Sequence, residues 1–453
     1  MTGGEGGHAS INMTYIEQYQ AFTRATSNTT PSWLGAMRQC AIERFEALGF
    51  PTTKNEDWHF TSVAPIAEAA YEIRANPGGD VKPGDLAGFT FGATDWPTIV
   101  FVNGVYAPAL SSLDNLPDGV RIQDLATAIR EGDPLVERHL SKIASYELHA
   151  FTALNTAFAV DGAVIRIAKE FEVDRPIHVL YVSDALAAKT QTNPRTLIVA
   201  ERHSKATLIE SYVSWGEASY FTNAVTEVVL EDGANLSHLK IQRESPRAFH
   251  VGTIDADQHR DSHYQSFSFS TGATLSRTNI YTTLNGEGSG ATLNGLYMLD
   301  GEQHCDHQTR IEHAQPNCFS RELYKGVLDD ASHGVFNGKV YVHPIAQKTD
   351  GKQTNNVLLL SERAQVDTKP QLEIYADDVK CTHGATVGRI DETALFYMKS
   401  RGVNNELARR LLTYAFAAEV LETIELEPVK QRLERAALER FTGVPTLTTE
   451  WKR

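Results

Sequence analysis

Apolar residues follow two different rhythms along this 453-residue chain, and the change of rhythm divides it. Between residues 30 and 50 they recur every third or fourth position. Trp33, Met37, Ala41, Phe45 and Leu48 then share one helical face. Thr30-Pro31-Ser32 opens the run, with proline where a first-turn N–H has no helical partner, and Gly49-Phe50-Pro51 stops it. This predicts an amphipathic helix whose apolar face serves packing. Residues 1–12, MTGGEGGHASIN, are glycine-rich and aperiodic, so they read as a flexible leader outside the fold.

From about residue 160 to 390 the rhythm shortens to strands. Val164-Ile165-Arg166-Ile167, Thr226-Glu227-Val228-Val229-Leu230, Asn279-Ile280-Tyr281-Thr282-Thr283-Leu284 and Asn356-Val357-Leu358-Leu359-Leu360 are β-rich runs between Gly, Asp and Asn turns. A glycine and a small residue lead into several of them, as at Gly233-Ala234, Gly272-Ala273, Gly290-Ala291 and Gly384-Ala385. Gly272 and Gly290 stand 18 positions apart, the one spacing here that carries weight as a repeat. A recurring turn-then-strand unit suits a β-solenoid, with a large sandwich or a pair of jelly rolls as the rival. A solenoid has open ends, and helical flanks would cover them. After Ser400 helical periodicity returns. Asn404 and Asn405 can cap a helix carrying Leu407, Leu411, Leu412, Ala415, Val420, Leu421 and Ile424. Pro428 starts a second, with Leu433, Ala437, Leu438 and Phe441 before Gly443. The divisions are a leader 1–12, a helical and mixed domain 13–155, a β core 156–395 and a C-terminal helical domain 396–453.

Composition narrows the class. Apolar residues make up 42% and charged residues 22%, enough for a sizeable core and too balanced for disorder. Lys and Arg total 42 against 57 Asp and Glu, a formal charge of −15 with no basic run to offset it. Tracking a nucleic-acid backbone needs clustered cations, so nucleic acid is excluded as the partner. No apolar run approaches the ~20 residues that cross a bilayer. Four cysteines in a chain of this length cannot form a disulfide framework and imply a reduced, cytoplasmic compartment.

Three motifs bear on chemistry. Gly334-Val335-Phe336-Asn337-Gly338-Lys339-Val340 has the wrong glycine spacing for a phosphate loop and lacks the following Ser or Thr, so ATP hydrolysis through it is excluded. His304, Cys305, His307, His313 and Cys318 form the densest group of soft ligands. They lack the close pairs that zinc sites prefer and alternate as strand residues do, which favours hydrogen-bonded ladders. Cys381 and His383, in Val379-Lys380-Cys381-Thr382-His383-Gly384, would share one face of a strand. One thiolate and one imidazole there make half of a tetrahedral metal site, and a second chain could supply the rest.

The residues around that pair are familiar. Asp367-Thr368-Lys369-Pro370-Gln371-Leu372-Glu373-Ile374 followed by Asp378 to Thr386 resembles the SufB/SufD family of iron–sulfur cluster assembly scaffolds, the SufD branch in particular. Asn55-Glu56-Asp57-Trp58-His59-Phe60-Thr61, His307-Gln308-Thr309-Arg310-Ile311-Glu312-His313 and Leu395-Phe396-Tyr397-Met398-Lys399-Ser400-Arg401-Gly402 are similar to further motifs of that family, in the same order. His59-Phe60 departs from the usual Lys or Arg and Tyr. The resemblance implies a right-handed parallel β-helix between N- and C-terminal helical domains. It implies a non-catalytic scaffold that pairs with SufB through the β core, or with itself when isolated, and binds the ATPase SufC through the C-terminal helices. A role in iron acquisition, and a transient iron–sulfur cluster or iron at the SufB interface with nothing tightly bound to the isolated chain, follow from the same likeness. His383 is then the first candidate ligand and Cys381 the second. The alternative is a non-catalytic solenoid that binds another ligand such as carbohydrate, for which Asp377-Asp378 would be a candidate acid pair, although a turn is its ordinary reading.

Overall fold

The computed structural model describes residues 5–75, 78–93, 95–114 and 116–442. Helices α1 (Glu5–Thr26), α2 (Ser32–Leu48), α3 (Ala64–Ala69), α4 (Leu125–Glu131), α5 (Pro134–His139) and α6 (Ala150–Phe158) precede the long β region. Helices α7 (Glu392–Ser400), α8 (Asn405–Leu421) and α9 (Glu427–Thr442) follow it. Residues 5–12 are therefore helical where their composition suggested an irregular leader, while residues 1–4 and the expected stop at Gly443 lie outside the described residues. In α2 the buried face is Leu34, Arg38, Ala41, Ile42 and Phe45, turned from the face expected, and Leu48 is exposed. Its end is as expected: Gly49 takes a positive φ of 64° and donates its N–H to Phe45.

The early strands are short: β1 (Glu72–Ile73), β2 (Thr98–Val102), β3 (Val105–Tyr106), β4 (Val120–Asp124), β5 (Ala163–Ile167), β6 (Ile177–Ser183), β7 (Thr190–Thr192) and β8 (Arg195–Ala200). Longer ones follow: β9 (Lys205–Ser214), β10 (Phe221–Leu230), β11 (Asn235–Arg243), β12 (Phe249–Gln258), β13 (His263–Ser270), β14 (Leu275–Leu284) and β15 (Gly290–Leu299). The last are β16 (His304–His313), β17 (Phe319–Leu328), β18 (His333–Val342), β19 (Asp350–Leu359), β20 (Gln365–Ile374) and β21 (Lys380–Gly388). From β8 on, even-numbered strands stack into one parallel sheet and odd-numbered strands into another, a solenoid of about eight coils. Turns between them use residues that tolerate left-handed backbone, such as Asp261, Asn317 and Asp330 at φ of 54°, 59° and 51°.

Stacking is in register. Phe221, Phe249, Leu275, His304, His333 and Gln365 are successive partners, so a coil takes between 26 and 32 residues. The Gly272–Gly290 spacing instead joins two consecutive strands on opposite sheets and is not the coil period. Alternation sends every second residue into the lumen, where Ala224, Ile254, Ile280 and Ile311 of one sheet meet Leu236, Tyr264, Leu293 and Tyr324 of the other. Long polar side chains also enter, opposite glycines that make room. A Cβ on Gly252 would lie 3.2 Å from the Lys240 side chain, one on Gly295 2.3 Å from the Tyr324 ring, and one on Gly338 2.1 Å from Gln353. Deep in the lumen the Glu210 carboxylate accepts from Thr196, Tyr212 and Thr226 at 2.8–3.0 Å and is bridged to His238 at 3.0 Å. These bonds hold it ionised although burial opposes that.

The flanking helices lie on the outer faces of the sheets instead of closing the ends. Tyr15, Tyr19, Phe45, Phe151 and Phe158 from α1, α2 and α6 pack with Phe221, Phe249, Val251 and Leu275 of the even sheet. Ala417, Val420 and Leu421 of α8 and Val429, Leu433 and Ala437 of α9 pack on Leu239, Ile241, Phe267, Phe269, Leu296 and Val327 of the odd sheet. The buried Lys325 ammonium pins α8 through Glu419 and the Phe416 carbonyl, and Arg440 pins α9 through Asp300 at 2.9 Å. At the N-terminal end, antiparallel β4 closes on β5 and the β2–β3 hairpin closes on β6.

One buried ion pair fastens the N-terminal helices to the solenoid. Arg195 on β8 and Glu227 on β10 meet at 2.6 Å with 1% and 0% exposure. Arg195 also reaches Asn155 and Thr156 of α6, and Glu227 accepts the backbone N–H groups of Ser141, Ile143 and Ala144. Removing one partner leaves the other charge buried alone, a loss of about 3–5 kcal/mol. Arg195→Met is accordingly expected to lower unfolding stability by that amount, read from the urea midpoint, whereas Arg166→Met on the half-exposed pair with Glu201 changes it by less than about 1 kcal/mol.

Candidate functional site

The C-terminal end of the solenoid is the end that the helices leave open. Both sheets stop there, at β20 and β21, and each of these strands bonds its sheet along one side only. Most of β21 is exposed and almost all of β20 is half-buried. An unpaired strand edge offers backbone N–H and C=O groups to another chain, and Pro370, Lys369 and Lys380 are residues that proteins place on such edges to limit unwanted pairing. Ile374, Tyr375 and Val387 add exposed apolar surface at this end, with Ile345 on the neighbouring turn.

Cys381 and His383 stand on β21, in register with Gly351 and Gln353 of β19. Cys381 packs with Val340, Val342 and Leu372, so the face it shares with His383 is the lumen face of the last coil. The thiol is half-buried, and burial raises its pKa, aided by the nearby Asp350 carboxylate and opposed by a bond from the Gly351 backbone. It is thus held as a neutral thiol that must lose its proton to ligate a metal. His383 is exposed and makes no hydrogen bond or ion pair with another described residue. Among the described residues no three His, Cys, Asp or Glu side chains converge as a metal-binding group.

Beneath His383 the same register column continues through Gln353 to Glu322. Gln353 Nε2 donates to Glu322 Oε2 at 2.7 Å. Full burial pushes the Glu322 carboxyl up to about 7, against the Gln353 hydrogen bond that favours its ionised form.

The other soft ligands are dispersed by the fold. His304 faces outward and bonds Thr61 Oγ1 at 2.9 Å, while Cys305, His307 and His313 of the same strand face the lumen. His313 bonds Ser320 at 2.9 Å, and Cys318 sits at a turn against the Gly286 carbonyl at 3.4 Å. Lys339, weighed as part of a phosphate loop, lies inside β18 and pairs with Glu373 at 2.8 Å. Asp377-Asp378 occupies the turn before β21, with Asp378 paired to Lys348.

A second exposed surface lies on the C-terminal helices. Phe396 and Tyr397 of α7 are 72% and 58% exposed, and Leu407 and Leu411 of α8 are also exposed. The sequence pattern counted Leu407 and Leu411 among the packing positions of that helix. Its buried side is instead Ala408, Thr413, Ala417, Val420 and Leu421. Nothing in the periodicity distinguishes the two leucines from core residues, because both surfaces of this helix carry apolar side chains. Among the described residues no helix is long and apolar enough to cross a membrane.

Comparison with known proteins places the chain in a family. Residues 181–416 match the family model described as "SUF system FeS cluster assembly, SufBD core domain", and residues 9–179 match "SufBD protein N-terminal region". The chain is 35% identical over 405 residues to the iron–sulfur cluster assembly protein SufD of Escherichia coli, covering 89% of this chain and 92% of that protein. It is 32% identical over 418 residues to an iron–sulfur cluster assembly SufBD family protein of Synechocystis, covering 90% and 91%. It is 30% identical over 444 residues to SufD of Bacillus subtilis, covering 94% and 96%.

The raised Glu322 carboxyl has a stability consequence with a definite sign. The folded chain holds the Glu322 proton at pH values where the unfolded chain has released it. Its contribution is therefore full below the ordinary carboxyl value and is lost as the pH climbs through about 7. Glu322→Gln keeps the shape and removes the titration. It is expected to be more stable than the parent at pH 8, by roughly 3 kcal/mol from the size of the shift, and similar to it at pH 4.5. Urea midpoints at the two pH values measure this.

Proposed function

From the chain's membership of the SufBD family of iron–sulfur cluster assembly proteins, in the SufD branch, we propose that it is a non-catalytic scaffold subunit that pairs with SufB through the open end of its solenoid. The single observation that carries this reading is the pair of unclosed edge strands with Cys381 and His383 on the lumen face of the last coil. A partner solenoid that continued either sheet would satisfy the free backbone groups and bring its own donors to those two side chains. The iron–sulfur cluster, or the iron destined for it, is cargo here. Ligands divided between two chains release such cargo when the subunits part, whereas a closed set of four thiolates would retain it. Neutral imidazole is His383's ligating form, and the Cys381 thiol surrenders its proton on binding. We assign His383 as the principal ligand and Cys381 as the supporting one. Iron supply to the assembly belongs to the same proposal.

The SufC ATPase is the proposed partner of the exposed apolar surface formed by Phe396, Tyr397, Leu407 and Leu411. A chain with no phosphate loop would leave ATP hydrolysis to that subunit. Work in a reducing cytoplasm accords with four free cysteines. An isolated chain could close its open end on a second copy.

Two experiments separate the two halves of the reading. Co-expressed with SufB and SufC, His383→Ala is expected to cut the iron and sulfide content of the complex at least about tenfold, a loss of roughly 1.4 kcal/mol or more in binding. Thermal unfolding and subunit ratio should stay as in the parent, and Cys381→Ser should lower the content less. Parental iron and sulfide in the His383→Ala complex would remove His383 from the site. For the second surface, α8 and α9 cannot simply be deleted, because the apolar outer face of the odd sheet would be laid bare. Leu407→Glu with Leu411→Glu instead changes only exposed positions. It should abolish co-purification of SufC while SufB pairing persists, and retention of SufC would show that this surface is not its seat.

A further inference from the structure

The lumen between β13 and β20 contains polar groups that the protein itself does not satisfy. His307 on β16 is fully buried, and neither ring nitrogen has a hydrogen-bond partner. Its ring lies between those of Tyr297 and Tyr324, at 5.3 and 5.2 Å between centroids. The Tyr324 hydroxyl, the Ser268 hydroxyl, the Asn355 side-chain carbonyl and the Gln353 side-chain carbonyl are likewise buried and unpartnered. These groups are not scattered. Lys240, Ser268, Gly295, Tyr324 and Asn355 are consecutive members of one register column on the odd sheet. Thr278 and His307 are neighbours in a column of the even sheet. Lys240 Nζ crosses to Thr278 Oγ1 at 3.2 Å, and the Tyr324 and His307 rings touch, so the two columns face each other. Ser268 and Gly295 are the small members of this line, and the Tyr324 ring lies over Gly295, where a Cβ would be 2.3 Å from it.

We propose that this part of the lumen is a binding site for a file of internal water molecules, running from the Lys240–Thr278 contact past His307 and Tyr324 to Asn355 and Gln353, the coil beneath His383. The chemistry selects water. A neutral imidazole needs one donor and one acceptor at once, a phenol offers both, and the two amide carbonyls need donors. Burial keeps these groups uncharged, lowering His307 to about 3 and raising Cys305, the nearest thiol, to about 12. Among the described residues no three His, Cys, Asp or Glu side chains converge here to hold a metal ion. Lys240 already bonds His250 at 3.0 Å, and Glu244 lies beyond it on His250 at 2.7 Å. Buried water bound to about three such groups is a regular part of folded interiors, and a cavity lined by polar atoms fills with it, whereas a dry apolar one takes up xenon.

The test uses the full-length chain. Crystals at a resolution that shows ordered solvent should carry density within hydrogen-bond reach of both His307 nitrogens and of the Tyr324 hydroxyl. Crystals pressurised with xenon should show none in the lumen. Tyr324→Phe removes one hydroxyl and keeps the ring. If water is bound there, the variant loses a hydrogen bond, and its melting temperature falls by about 1 °C. If the hydroxyl is dry, its removal relieves an unpaired polar group, and the melting temperature rises or stays level. A lumen without solvent density, xenon inside it, or an unchanged or higher melting temperature for Tyr324→Phe would each overturn the proposal. His307→Leu provides a second reading in the same direction, and should it fail to fold, the parent crystal and Tyr324→Phe decide.

Discussion

In-register parallel stacking is the constraint from which the rest of this molecule follows. Once Phe221 sits above Phe249 and Phe249 above Leu275, every residue of a coil has a fixed neighbour in the next. A one-residue slip in any coil would turn its lumen set outward. The lumen must then be filled column by column, with no freedom to shift a bulky side chain sideways. The chain meets this by pairing long residues with absent ones: Lys240 extends over Gly252, Tyr324 over Gly295 and Gln353 over Gly338. Substituting such a glycine would not disturb a turn but would collide with a side chain anchored one coil or one sheet away.

The same constraint explains how charge is tolerated inside. A carboxylate in a column cannot turn to solvent, so it is ionised only where its neighbours donate to it. Glu210 has Thr196, Tyr212, Thr226 and His238 around it, and its pKa is lowered in spite of burial. Glu322 has fewer donors, and its carboxyl rises to about 7. Two glutamates on the same sheet, both fully buried, thus differ in charge through the hydrogen bonds that their rungs supply. Arg195–Glu227 applies the principle on the outer face, where the pair organises three backbone N–H groups and the start of the contact with α6.

Stacking also creates two ends, and the molecule treats them differently. The first coils are closed by the antiparallel strands β3 and β4, and the helices spend their apolar faces on the outer surfaces of the sheets. The last coil is left with unpaired edges, exposed apolar residues and two metal-capable side chains. Unpaired edges are a liability for a chain on its own, which is why the proposed pairing with a second solenoid rests on this end.

Much of this was legible in the residues. Strand-length runs between Gly, Asp and Asn turns specified a β region, Asn404 specified the cap of α8 by its bond to Leu407, and the period-two rule put Cys381 and His383 on one face. The motifs around Cys381 resemble those of the family to which the chain belongs. Local chemistry suffices for such features, because caps, turns and alternation act within a few positions of the residue concerned. The coil period was not legible, since turns of unequal length separate the strands and the clearest repeat, Gly272 to Gly290, joins opposite sheets. Nor could the sequence tell that Leu407 and Leu411 face solvent, that residues 5–12 are helical, or that the flanking helices cover faces and not ends. Those outcomes depend on which apolar surface another element reaches first. Only the packed structure decides that, because burial is shared between segments far apart in the chain and no single segment records its partner.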